Sequence, residues 1–178
     1  MKLAILDRDG VINYDSARFI KNPEEWKPIP GSLEAIARLN QAGWRVVVAT
    51  NQSGIGRGLF DMAALNAMNS KMHRMLGQVG GRIDALFYCP HAAEECCACR
   101  KPDLGLYQDI SRRFNVSLVG VPCIGDSLRD LQAAAAVEAL PILVLTGKGQ
   151  KTLHEEPKPA NTQVYADLAE AVSAITAR

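Results

Sequence analysis

The chain has 178 residues, 48% hydrophobic and 22% charged, with a formal net charge of +1. That length suffices for one domain with its own core, and the near-zero charge argues against nucleic acid or a membrane surface held by bulk electrostatics. The apolar runs are far too short to span a bilayer, and Met1-Lys2 leads straight into a strand without a signal-peptide pattern. A reducing cytoplasm is therefore the expected compartment, where five cysteines favour metal or free thiols over disulfides.

Leu3-Ala4-Ile5-Leu6 is a continuous apolar run, the pattern of a strand buried on both faces of a parallel sheet. It stops at Asp7 and Asp9, two carboxylates one residue apart, followed by Gly10, which permits a turn. Like charges this close are unfavourable unless a cation or proton sits between them. Residues 13–30 carry Pro23, Pro28 and Pro30 and read as a loop. Ser32 is the expected N-cap of a helix with Leu33, Ile36, Ala37 and Leu39 at helical spacing, closed by Gly43. A second buried strand over 45–50 ends at Thr50, Asn51, Gln52 and Ser53.

Residues 54–58, Gly-Ile-Gly-Arg-Gly, read as a flexible loop that fits neither the dinucleotide nor the Walker pattern. Asp61 caps a long helix to about Gly77, with Leu65, Met68, Met72, Met75 and Leu76 facing the core; the methionines are core filler. A third strand over 84–89 leads into a cysteine-rich loop over 89–102, and a helix runs from Asp103 or Leu104 to about Phe114. A fourth strand over 121–125 ends at Asp126-Ser127, followed by a helix through 133–136 and a strand over 142–146. Residues 147–161 read as a loop; a short strand near Val164 and a helix from about Leu168 close the chain. Cys123 lies inside an apolar strand as plain core, and His73 and His154 read as surface residues. Strands alternating with helices predict one α/β domain over 1–178, a doubly wound, mostly parallel sheet. Ligands of such sheets sit at the carboxyl ends of the strands. There the chain places Asp7 and Asp9, Thr50 and Asn51, Lys101, and Asp126 with Asp130. Three carboxylates suit Mg²⁺, and a hydroxyl, an amide and a lysine suit phosphate oxygens.

Asp7-Arg8-Asp9-Gly10, Thr50-Asn51, Lys101 and Gly125-Asp126-Ser127-Leu128-Arg129-Asp130 together resemble the four ordered motifs of the haloacid-dehalogenase-like phosphatases. The finer details Thr50-Asn51-Gln52-Ser53-Gly54, Cys89-Pro90-His91 and Cys97-Ala98-Cys99-Arg100-Lys101-Pro102 resemble its heptose-bisphosphate 7-phosphatases, relatives of the histidinol-phosphate phosphatases. The resemblance implies a Mg²⁺-dependent phosphatase acting on a small phosphorylated sugar in nucleotide-activated heptose synthesis for lipopolysaccharide or surface glycans. It implies Asp7 as nucleophile and metal ligand. Asp9 would be general acid/base, ligating through its carbonyl, and Asp126 the third protein ligand. Thr50 and Lys101 would hold the transferring phosphoryl group. Arg8, Asp15, Arg18, Asn51, Gln52, Ser53 and Arg100 would contact phosphate or substrate, and Asp130 would orient Lys101 or the metal waters.

Cys89-x-His91 followed by Cys97-x-Cys99 supplies the ligand types of a closed structural Zn²⁺ site. Cys96-x2-Cys99 also has ligand spacing; the family's Cys-x-Cys before Arg-Lys-Pro favours Cys97. A metal-free cluster of reduced thiols is the competing reading. Clamped by zinc, the loop would hold Arg100 and Lys101 over the phosphate. The segments between strands are too short for a cap domain, so the site is expected to be open. No nucleic-acid or membrane partner is expected, and the chain is expected to be a monomer. A receiver domain and a zinc-ribbon nucleic-acid module are the non-enzyme rivals, and neither predicts turnover of a phosphate ester.

Overall fold

The run Leu3-Ala4-Ile5-Leu6 is buried at every position and forms β1 (Leu3–Leu6), one of the two strands at the middle of a six-stranded parallel sheet. The computed structural model describes residues 1–177. After β1 come α1 (Ser32–Gln41), β2 (Arg45–Asn51), the short α2 (Ser53–Gly56) and α3 (Met62–Gln78). Then follow β3 (Ala85–Cys89), a 3-10 turn (Ala93–Glu95), α4 (Gly105–Phe114), β4 (Pro122–Gly125) and α5 (Leu128–Ala136). β5 (Leu140–Val144), α6 (Gly149–Leu153), β6 (Gln163–Tyr165) and α7 (Leu168–Thr176) complete the chain.

The strand order is β3-β2-β1-β4-β5-β6. β1 pairs with β2 from Leu3↔Arg45 to Leu6↔Val48 and with β4 through Ile5↔Cys123 and Leu6↔Ile124. The order reverses between β1 and β4, so the loops after these strands part and leave a crevice between Asp7 and Asp126. Alternate strand residues face opposite sides. Ala4, Leu6, Val46 and Val48 pack with Ile36 of α1, Met68 and Met72 of α3 and Val172 of α7. Leu3, Ile5, Val47 and Ala49 pack on the other side with Leu106 and Ile110 of α4 and Ala133 and Ala134 of α5. Cys123 is buried in this second core, and His73 and His154 are exposed. No helix among the described residues is long and apolar enough to cross a membrane.

Asp61 caps α3 by accepting from the Ala64 N–H at 2.9 Å, and Gly43 takes the left-handed conformation just beyond α1. Four expectations change. Ser32 is not an N-cap: Gly31 occupies that position, and the Ser32 hydroxyl donates to Val11 O at 2.8 Å, tying the long loop to α1. Residues 54–58 are not a free loop, because Ser53–Gly56 form a helical turn. That turn lies too close to its neighbours for larger residues: a Cβ at Gly54 would overlap the Phe60 ring, and one at Gly56 would overlap Glu95 Oε2 and crowd Ala92 N. Residues 147–161 contain α6. Asp84 precedes β3 and accepts from Val46 N–H at 2.8 Å. The 13–30 segment keeps its loop character, but it is anchored. Trp26 is fully buried in the core, and Lys71 of α3 donates to Pro23 O and Trp26 O at 2.6 and 2.7 Å.

Candidate active site

The crevice after β1 and β4 is a cleft of about 360 Å³. Its floor begins at Asp7, whose N–H donates to Ile124 O at 2.9 Å and so extends the β1–β4 pairing to the strand end. In the extended segment 7–9, Asp7 and Asp9 line the cleft and Arg8 points away from it. Gly10 (φ +83°) and Gly147 (φ +56°) then close around Asp126. A Cβ at either would overlap Asp126 Oδ2, so both positions demand glycine on conformation and on space. Asp126 Oδ2 also accepts from Lys148 N–H at 2.8 Å.

Lys101 is the hub of the floor. Its side chain is 2% exposed, and its ammonium donates to Ala49 O at 2.6 Å and contacts Asp130 Oδ1 at 2.6 Å and Asp7 Oδ1 at 3.2 Å. Asn51 holds its backbone from both sides, donating to Lys101 O at 3.1 Å and accepting from Lys101 N–H at 3.0 Å. Asp130 is held in turn by the Ser127 N–H and hydroxyl on Oδ2, at 3.1 and 2.9 Å. Carboxylate oxygens of Asp7, Asp126 and Asp130 lie within 4.8 Å of one another, a group that could hold a metal ion. Burial, with the nearby Asp130 charge, pushes Asp7 up to about 7, and burial with the Asp7 charge pushes Asp126 up to about 8. Burial acts the same way on Asp130, but Lys101 outweighs it and holds the carboxyl below its usual range. The Lys101 proton, which burial alone would loosen, is held more tightly than usual by Asp130 and Asp7. A site whose acids resist full ionisation by themselves suits a hard divalent cation.

Asp9 is fixed by three side chains. Oδ1 accepts from Arg8 Nε at 3.0 Å and Asn13 Nδ2 at 2.8 Å, and Oδ2 accepts from Gln52 Nε2 at 3.0 Å. Gln52 Nε2 also donates to Thr50 Oγ1 at 2.9 Å.

Ten of the predicted residues line the cleft: Asp7, Asp9, Asp15, Asn51, Gln52, Ser53, Arg100, Lys101, Asp126 and Asp130. Arg8, Thr50 and Arg18 do not line it. Arg8 is fully buried against Asp9 and Asn69 on the side of α3. Thr50 is 1% exposed and has its hydroxyl engaged by Gln52. Arg18 is exposed on the outer side of its loop beside Lys21 and Glu25, while its neighbours Ala17 and Phe19 turn inward. The structure adds Arg57, Arg129 and Lys148 to the lining. Arg129 lies inside the Asp126–Asp130 motif and so carried a signal; Arg57 and Lys148, each between two glycines, carried none. Arg100 has a buried Nη1 without a hydrogen-bond partner, and its proton is loosened by burial and then by the Arg129 charge. Across the mouth, Lys148 Nζ lies 3.4 Å from Asp15 Oδ2.

Cys89, His91, Cys97 and Cys99 form a second group that could hold a metal. Their sulfurs lie 3.0, 3.5 and 3.6 Å apart, and His91 Nδ1 is 3.3 Å from Cys99 Sγ and 3.5 Å from Cys89 Sγ. Tetrahedral Zn²⁺ with bonds of about 2.0–2.3 Å requires edges of about 3.5–3.8 Å, so the donor set fits with small relaxation. Cys96 is exposed and outside the group; its thiol faces Glu94 O at 3.6 Å. Burial opposes ionisation of Cys97, but the Arg100 N–H and the Cys89 thiol draw it down to about 7. The loop is built into the cleft wall: Gln52 N–H donates to Cys89 O at 2.7 Å and Gly56 N–H to Pro90 O at 2.8 Å.

Similarity to known proteins follows the same geometry. Residues 2–125 match the family described as Polynucleotide kinase 3 phosphatase, and residues 98–171 match the family described as HAD-hydrolase-like. A D-glycero-beta-D-manno-heptose-1,7-bisphosphate 7-phosphatase from Bordetella bronchiseptica is 62% identical over 169 residues, covering 95% of this chain and 94% of its own. The crystal structure of the D,D-heptose 1,7-bisphosphate phosphatase from B. bronchiseptica complexed with magnesium and phosphate superposes with a TM-score of 0.97 at 59% identity, covering 98% of both chains. The corresponding enzyme from Burkholderia thailandensis superposes with a TM-score of 0.81 at 52% identity over 100% of both chains.

Proposed function

The chain belongs to the haloacid-dehalogenase-like phosphatases, in the family of the D-glycero-β-D-manno-heptose-1,7-bisphosphate 7-phosphatases, and on that premise we propose that it removes the 7-phosphate of the β-anomer of that sugar bisphosphate. The observation that carries the substrate is the pairing of two anion-seeking regions in one cleft. One is the floor, where Lys101 and the Mg²⁺ that Asp7 and Asp126 would hold are the positive groups; the other is Arg57, Arg100 and Arg129, with Arg100 Nη1 buried and unpartnered. A substrate with phosphates at both ends satisfies both regions. Histidinol phosphate carries one phosphate and a cationic amine, which three guanidinium groups would repel.

Asp7, the Asp9 carbonyl and Asp126 would hold Mg²⁺, which when bound supplies positive charge to the phosphoryl oxygens. Asp7 attacks phosphorus in line, forming the aspartyl phosphate as the bond to the sugar oxygen breaks. Asp9 gives its proton to that oxygen. It then takes a proton from the water that attacks the same phosphorus, and Asp7 departs as carboxylate with release of phosphate. Lys101 neutralises charge on the equatorial oxygens, while Asp130 and Asn51 keep its ammonium and backbone in place. Gln52 and Ser53 contact the substrate, and Asp15 meets sugar hydroxyls from the facing loop. Zn²⁺ at Cys89, His91, Cys97 and Cys99 would have a structural role, because a four-residue protein set leaves no position for water. The product feeds nucleotide-activated heptose synthesis for surface glycans.

The test is phosphate release from the β- and α-anomers of the bisphosphate, from heptose 7-phosphate and from histidinol phosphate, with and without Mg²⁺. The β-bisphosphate is expected to have the highest kcat/KM. Arg100→Ala and Arg129→Ala are expected to lower that value for the bisphosphate far more than for the 7-monophosphate. Equal efficiency on histidinol phosphate refutes the assignment.

A further inference from the structure

Among the described residues, Arg8 is the one arginine that is fully enclosed. A guanidinium so deep is costly unless it is paired, and among the described residues its ion-pair partner is Asp9. The pairing is lopsided. Nε and Nη2 both converge on Asp9 Oδ1, each at 3.0 Å, while Nη1 reaches Asn69 Oδ1 of α3 at 3.4 Å. Asn13, also fully buried, adds its Nδ2 to the same Asp9 oxygen at 2.8 Å and to Tyr14 O at 3.0 Å. Oδ1 therefore accepts two hydrogen bonds, from Arg8 Nε and Asn13 Nδ2, which fill the lone pairs of one carboxylate oxygen, while Nη2 lies at ion-pair distance without a hydrogen bond of its own. Oδ2 has a single donor, Gln52 Nε2, and that donor is shared with Thr50.

We propose that Arg8, braced by Asn69 of α3, is a positioning residue that locks the Asp9 carboxylate by its Oδ1 and thereby leaves Oδ2 as the oxygen that passes a proton to the leaving group and takes one from water. The inference rests on the acid/base reading of Asp9 given above. A charge partner alone would serve from many directions. This one is planar, buried and fixed on one oxygen, so its contribution is orientation. Asp9 stands on a short segment between β1 and a glycine turn, at 21% side-chain exposure, with one face open to the cleft. Without Arg8 the carboxylate keeps only the neutral amides of Asn13 and Gln52 and loses its one charged, planar partner, and displacement of a reacting group by about 1 Å costs on the order of 100-fold in rate.

The test compares two leaving groups in single-turnover experiments. A sugar or simple alkyl phosphate loses a poorly acidic alcohol and needs a proton from Asp9 as the P–O bond breaks. p-Nitrophenyl phosphate loses a stable phenolate and does not, so its first step reports Asp7 and the phosphate-holding groups only. Asp9→Asn, the reference, is expected to keep the nitrophenolate burst while losing alkyl-ester turnover. Arg8→Met is expected to show the same split, with an alkyl-ester loss of about 10- to 100-fold. Arg8→Lys, which restores charge but not the fork, is expected not to recover. If Arg8→Met does not fold, judged by circular dichroism, Asn69→Ala carries the test with a smaller loss and the same split. Equal losses on both esters in the Arg8 and Asn69 variants, no loss at all, or full recovery in Arg8→Lys overturns the proposal. If Asp9→Asn itself shows no split, the acid/base reading falls; if Asp9→Asn splits and the Arg8 and Asn69 variants do not, only the positioning role falls.

Discussion

Replacing Lys101 by methionine keeps the length of the side chain and deletes one buried charge. The ammonium lies between Asp130 Oδ1 at 2.6 Å and Asp7 Oδ1 at 3.2 Å and also donates to Ala49 O. Its loss leaves two buried carboxyls and a carbonyl without their donor. Deleting one member of a buried ion pair costs about 3–5 kcal/mol, a large part of the 5–15 kcal/mol that holds a typical domain folded. The cost depends on pH with a definite sign. Asp130 is held below the usual carboxylate range by Lys101, so it stabilises the wild-type protein above its unfolded pKa, and that contribution is lost only as pH falls through the lower folded value. Asp7 already sits near 7 with the lysine present. Without it both acids take up protons more readily, which removes part of the penalty in the variant. The stability gap is therefore largest above pH 7 and narrows toward pH 5.5. Urea unfolding of wild type and Lys101→Met at pH 8.5 and 5.5, without added Mg²⁺, measures it. Turnover of the variant is expected to fall by about 100- to 1,000-fold, as for loss of one charge-stabilising donor. A gap under 1 kcal/mol that does not change with pH would refute the argument, since it would mean that Lys101 is not the counter-ion of these acids.

Burial raises Asp7 to about 7 and Asp126 to about 8, so Mg²⁺ must displace protons to bind, and its affinity should climb steeply from pH 6 to pH 8.5. Calorimetry in buffers of different ionisation enthalpy reads the released protons; proton-neutral binding at pH 6.5 contradicts the prediction. The same raised values mean that these two acids contribute stability to the metal-free protein below pH 4, and lose it as pH rises through 7 to 8; added Mg²⁺ should reverse that trend in thermal unfolding. Asp7→Asn should abolish turnover with the fold intact, because an amide does not attack phosphorus, and activity near wild type removes Asp7 from the nucleophile role. Cys97→Ser should release one zinc per chain and weaken phosphate binding together, whereas Cys96→Ser, at an exposed thiol outside the cluster, should do neither; elemental analysis after gel filtration decides.

The chain's local pattern determined its sheet and the carboxylates at the sheet's edge. A continuous apolar run as short as Leu3-Ala4-Ile5-Leu6, bounded by polar residues and a glycine, fits a strand buried on both faces, and a polar residue directly after such a run surfaces at the strand end. That is why Asp7, Asp9 and Asp126 were legible in the sequence, whereas Lys101, beyond a loop after β3, was read from its motif. The zinc-type quartet was legible for a similar reason, since all four residues fall in one loop and their spacing alone brings them near. Tertiary structure decided what lies beyond one turn of chain. Arg8 looks like an exposed phosphate contact in the sequence, yet the alternation of an extended segment turns it from the cleft toward α3, where Asn69, 61 residues away, receives it. Thr50 precedes the cleft-lining Asn51 but is itself buried, its hydroxyl accepting from Gln52 Nε2. Ser32 carried every mark of an N-cap and instead bonds Val11 O, 21 residues earlier, because the long loop passes directly over the start of α1. Arg57 follows α2, Arg129 stands in the first turn of α5 and Lys148 precedes α6, and the three line one cleft because the strand order reverses between β1 and β4. Spacing along a chain fixes which face of its own element a residue occupies, whereas the partner across the cleft depends on how the elements pack, and a short sequence window carries no information about that.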